Sequence, residues 1–95
     1  MVLTYAERLM VQKLLEHGTV KEINGTITIG GIERNWELYR VEPTYFRDGI
    51  TYRAAIGYEL KPCDTAADAL DALECMAAHL QEVTGCIGSE NLATV

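Results

Sequence analysis

The sequence predicts a two-layer α+β domain, an antiparallel β-meander covered on one face by two helices in the order α-β-β-β-α. Three observations predict it. Apolar residues recur at helical spacing near both ends of the chain, in residues 3–18 and 64–85. The stretch between them alternates at period two and is punctuated by Asn24-Gly25, Gly30-Gly31 and Asp48-Gly49. The chain has 95 residues and is 48% apolar, enough for one core and no second domain. Residues 1–86 are expected to form that domain. The stretch 87–95 has no period and is expected to be a loosely attached tail.

The first helix carries its own end signals. Thr4 and Glu7 have capping-box spacing, and Gly18 can adopt the left-handed conformation that closes a helix. Ala6, Leu9, Met10 and Leu14 form an apolar stripe that Val11 can join. His17 falls in the last turn, where a protonated imidazole suits the helix dipole, so a structural role is expected for it.

Asn24-Gly25 then reads as a hairpin turn, because both residues tolerate positive φ. Val20 to Ile23 is either its partner strand or a lead-in. Thr26 to Ile29 alternate behind it, and Gly30-Gly31 permits a second turn. The next strand has Trp36, Leu38 and Arg40 on one face and Glu37, Tyr39 and Val41 on the other. After a turn from Pro43 to Gly49, residues 50–60 alternate as a single strand that Pro62 ends.

In the second helix, Asp64 or Thr65 supplies the cap and Gly85 the stop. Ala66, Ala69, Leu70, Leu73, Met76, Ala77, Leu80 and Val83 share a wide apolar face. Asp68, Asp71, Cys75, Ala78 and Glu82 lie opposite.

Charge is unevenly placed. The net charge is −6, yet residues 19–62 are balanced and the first helix sets Glu7 and Glu16 against Arg8 and Lys13. The excess sits on the second helix, in Asp64, Asp68, Asp71, Glu74 and Glu82, with no Lys or Arg beside them.

The chemistry of catalysis and metal binding is weakly represented. Cys75 and His79 stand four apart on a helix, but the chain offers no Cys-x-x-Cys and too few further ligands for structural zinc. Cys63 precedes a helix start, where the dipole favours a thiolate, but adjacent Asp64 opposes it. "GTITIGG" lacks the lysine and the context of a phosphate loop. Cys63, Cys75 and Cys86 are an odd, unevenly spaced set and not a disulfide framework. No apolar run reaches the roughly 18 residues needed to span a bilayer, and no signal segment is evident. A cytoplasmic, non-enzymatic protein without cofactor or metal is expected.

The α-β-β-β-α order over residues 4–84 resembles that of the double-stranded-RNA-binding domain. That family places lysines at the start of its second helix, where this chain has Asp64-Thr65-Ala66-Ala67-Asp68. Acids there would repel phosphates, so direct nucleic-acid binding is not expected. A small acidic chain whose meander leads through "DTAADA" into an alanine-rich helix also resembles small phage and mobile-element proteins, the anti-CRISPR proteins among them. That resemblance implies a stoichiometric binder, an inhibitor or adaptor, of a partner protein.

Three surfaces are candidates for such binding. Asp68, Asp71 and Glu82 would meet a basic surface and steer association. In the Pro43–Gly49 turn, Tyr45 with Arg47 is expected outside and Phe46 is expected to pack under the sheet end. Tyr39 and Val41, on the open sheet face, would serve a structural homodimer, the main alternative, as would an edge strand. A small enzyme bringing a histidine to Cys63 or a tyrosine is the third reading.

Overall fold

The computed structural model describes the backbone of residues 1–94 and the side chains of residues 1–83. The chain runs α1 (Tyr5–Glu16), β1 (Glu22–Ile29), β2 (Ile32–Val41), β3 (Thr51–Ile56), β4 (Glu59–Cys63) and α2 (Ala66–Thr94). The strands form one antiparallel sheet in the order β1-β2-β3-β4, a meander, and both helices pack against it. The two-layer α+β architecture is the expected one. Its sheet has four strands because residues 50–60 do not continue as one.

Both differences in the sheet come from glycines. Asn24-Gly25 is not a turn: it lies inside β1, with Gly25 paired to Trp36. A Cβ on Gly25 would stand 2.7 Å from Cζ2 of the indole, so this glycine admits a neighbouring ring. The β1–β2 turn is Gly30-Gly31, both at positive φ (60° and 78°), as a tight type I′ hairpin requires. The second difference is at Gly57, where φ is 59° and Ile56 pairs with Glu59, so Gly57-Tyr58 turns the chain into β4. Glycine first in a two-residue loop is the type II′ pattern.

The helix ends follow local chemistry. Thr4 accepts from the Glu7 amide and Glu7 from the Thr4 amide, a complete capping box. Gly18, at φ 68°, donates to Leu15 O while Thr19 donates to Leu14 O, a Schellman closure. His17 is the exposed C-cap. The Thr65 hydroxyl accepts from the Asp68 amide and caps α2. The α2 backbone passes Gly85 without ending there. Whether residues 87–95 form a loosely attached tail lies outside the residues whose side chains are described.

The core joins Leu38, Tyr52, Ala54 and Ile56 from the sheet to Leu70, Leu73 and Ala77 of α2, and to Val11 and Leu15 of α1. The α1 stripe is rotated from the expected one: Leu9 and Met10 are exposed, and Val11 and Leu15 are buried. On α2, Ala72 is buried and Val83 exposed.

Candidate interaction surface

Glu42 to Ile50 link β2 to β3, and their middle is a small hairpin of its own. The Thr44 amide donates to Arg47 O at 3.0 Å and the Arg47 amide to Thr44 O at 3.2 Å. Tyr45 and Phe46 therefore occupy the tip. Tyr45 is 96% exposed, as expected, and Phe46, at 93%, does not pack under the sheet end. Tight backbone closure between Thr44 and Arg47 leaves two central residues whose side chains point away from the protein. The rings meet each other instead, edge to face, with centroids 5.2 Å apart. Arg47 is exposed beside them.

The acidic residues of α2 do not act as one group. Asp71 Oδ1 accepts from Arg8 of α1 at 2.5 Å, tying the two helices. Glu74 accepts from the Val2 and Leu3 amides at 3.0–3.1 Å and holds the N-terminal arm over the core. Asp64, Asp68 and Glu82 remain exposed with no ion pair among the described residues. Asp68 and Glu82 are separated by about 21 Å of helix at 1.5 Å per residue. The expected trio of Asp68, Asp71 and Glu82 is thus one helix-bound carboxylate and two distant ones.

The sheet register puts the start of α2 and the aromatic loop at the same end of the sheet. Val41 pairs with Thr51 and Tyr52 with Cys63, so residues 42–50 and the Cys63–Asp68 segment leave the same end of the sheet. That end carries exposed rings, Arg47, and the carboxylates of Asp64 and Asp68.

Next to it, on the open sheet face, lies a broad cleft of about 580 Å³ lined by Tyr39, Val41, Arg53, Leu60, Lys21 and the Pro43–Thr44 step. Tyr39 and Val41 are half-buried. The Tyr39 hydroxyl donates to Glu37, and this bond, together with the charges of Glu37 and Glu22, pushes its pKa up to about 12. Across the sheet on the core side, Arg40 donates to Leu15 O at 2.9 Å, to Glu16 O at 3.0 Å and to Glu42 at 2.9 Å. It closes the C-terminus of α1 from a neighbouring strand, a role that sequence reasoning missed. The available signal was an arginine sharing a face with Trp36 and Leu38.

Cys63 borders a smaller cavity with Lys61, Asp64, Asp68 and Cys75. Burial first, and then the charge of Asp68, push its pKa above the ordinary thiol value, the reverse of an activated nucleophile. His17 and His79 are exposed, and neither lines that cavity. Among the described residues no group of three or more His, Cys, Asp or Glu is placed to hold a metal ion. Among them, too, no helix is long and apolar enough to cross a membrane.

Comparison of the chain with family models, with curated proteins and with solved structures gives no match.

Proposed function

We propose that this is a non-enzymatic binding protein that grips a partner protein with the Tyr45–Phe46 tip and Arg47. The carboxylates of Asp64 and Asp68 steer it toward a basic surface beside the contact. One observation carries the reading: both rings stand in water at the end of a closed backbone hairpin, where they contribute nothing to the core. Burying them in a partner's pocket would remove a large apolar area from solvent at little conformational cost, and aromatics beside an arginine are the usual anchors of interfaces. The acids at the same end add on-rate and orientation more than affinity. They also disfavour a nucleic-acid partner, whose affinity depends on neutralising phosphates. Size, acidity and the absence of a built catalytic constellation among the described residues fit a stoichiometric inhibitor or adaptor, of the kind found among phage and mobile-element proteins.

The open face supports self-association less well. Glu22 and Glu37 flank Tyr39, and two copies meeting face to face would bring these carboxylates together.

The test is capture from nuclease-treated lysate with three baits: wild type, Tyr45→Ser/Phe46→Ser, and Asp64→Lys/Asp68→Lys. Expected are a partner lost with the ring variant, and weaker, salt-insensitive capture by the charge variant. Asp71 is left unaltered because it binds α1. A partner held equally by the ring variant and the wild type would overturn the proposal.

A further inference from the structure

The two edges of the sheet are built differently. The hairpin closed by Gly57-Tyr58 sets the phase of the β3–β4 ladder, so Glu59, Lys61 and Cys63 turn their backbone groups toward β3. Leu60 and Pro62 turn theirs outward. Pro62 has no N–H, so the β4 edge lacks a donor where an incoming strand would need one.

The β1 edge has no such guard. The Arg40 amide donates to Lys21 O at 2.7 Å, which sets the ladder: Lys21, Ile23, Gly25, Ile27 and Ile29 bond to β2. Glu22, Asn24, Thr26 and Thr28 direct their N–H and C=O groups outward. Residues 23–32 contain neither a charge nor a proline, and among the described residues no further strand pairs with β1. Asn24, Thr26 and Thr28 are exposed, while Ile23 and Ile27 are half-buried at the rim of the core.

We infer that β1 is a self-association edge, pairing antiparallel with β1 of a second copy about a two-fold axis at Gly25. That register uses all four outward residues: Glu22 faces Thr28 of the second copy and Asn24 faces its Thr26. On the core side Ile23 meets Ile27 of the second copy, and the two Gly25 residues meet at the centre. No like charges are directly opposed, and both polar–polar and apolar–apolar pairings are self-consistent. The strand's own two-fold match selects a second copy as the occupant: from Glu22 to Thr28 each polar residue meets a polar mate and Ile23 meets Ile27, while Pro62 denies the β4 edge the same pairing. The result is one continuous eight-stranded sheet, and the inference stands independently of the aromatic loop.

The test uses the full chain, measuring solution mass by light scattering and residue-level amide exchange as concentration rises. Expected are twice the chain's mass and amides of Asn24, Thr26 and Thr28 that slow with concentration. Asn24→Lys/Thr26→Lys, which confronts like charges across the axis, should run as a monomer with β2 and β3 amides still protected. Thr26→Pro should do the same, because the Thr26 amide is not used by β2. A wild-type monomer at millimolar concentration, or a dimer that survives Asn24→Lys/Thr26→Lys, would overturn the inference. So would a dimer whose protection falls at Tyr39 and Val41 instead.

Discussion

Gly25 of β1 lies against the indole of its register partner Trp36, so closely that Cζ2, Cε2 and Nε1 all stand within 3.0 Å of where a Cβ would be. Trp36 is 6% exposed and belongs to the core, so its ring cannot move aside freely. Gly25→Ala is expected to cost about 1–3 kcal/mol by overpacking, despite alanine's better strand entropy. Urea denaturation would measure it. An unchanged midpoint would mean that the indole has room to shift.

Arg40 binds the last-turn carbonyls of α1 from β2, and Gly18 leaves space for its guanidinium, which a Cβ would approach to 3.3 Å. Arg40→Ala should destabilise the end of α1, because the Leu15 and Glu16 carbonyls lose their donor. The loss should appear as faster amide exchange in Leu14 to His17 before it appears elsewhere. Uniform loosening of the whole domain would argue against a local cap.

Tyr39 should ionise near 12, and Glu37→Gln should return it toward 10. Because the folded state holds this proton more tightly than the unfolded chain, the associated stability is intact below pH 10. It is lost as pH rises from 10 through 12. Ultraviolet titration of wild type and variant reads the shift directly.

Tyr45→Ser/Phe46→Ser should leave the unfolding free energy nearly unchanged, within about 0.5 kcal/mol, because neither ring reaches the core. A marked loss of stability would show that the rings pack against the domain in solution.

Cys63 should be labelled slowly at pH 8 and gain reactivity only above the ordinary thiol range, in line with its raised pKa. A mass-resolved alkylation profile, with Cys75 as the exposed internal reference, checks this. Fast labelling of Cys63 at neutral pH would reopen a nucleophilic role.

Local chemistry was legible wherever a feature depends on residues close in sequence. The capping box of Thr4 and Glu7, the Gly18 closure, the Thr65 cap and the Gly30-Gly31 turn are satisfied within a few residues of chain, so their spacing alone announces them. The identical dipeptide logic failed at Asn24-Gly25, because a glycine required by a neighbouring ring looks the same in sequence as one required by a turn. Gly57 failed in the opposite sense: even alternation from residue 50 to 60 concealed a two-residue turn that inverts it, pairing Ile56 with Glu59 and Ala55 with Leu60, so Leu60 comes to the open face.

By itself, then, the sequence determined the two helices and their N-terminal caps, the antiparallel meander, the inward faces of β1 to β3, and the concentration of acid on α2. These follow from short-range sterics and from apolar periodicity. Only the tertiary structure decided that Phe46 stays in water, that Asp71 and Glu74 serve the fold through Arg8 and the N-terminal arm, and that Arg40 ends α1. Each of these depends on which distant groups come within hydrogen-bond reach or leave a cavity to fill. That is a property of packed surfaces in three dimensions, and residue spacing along the chain does not encode it.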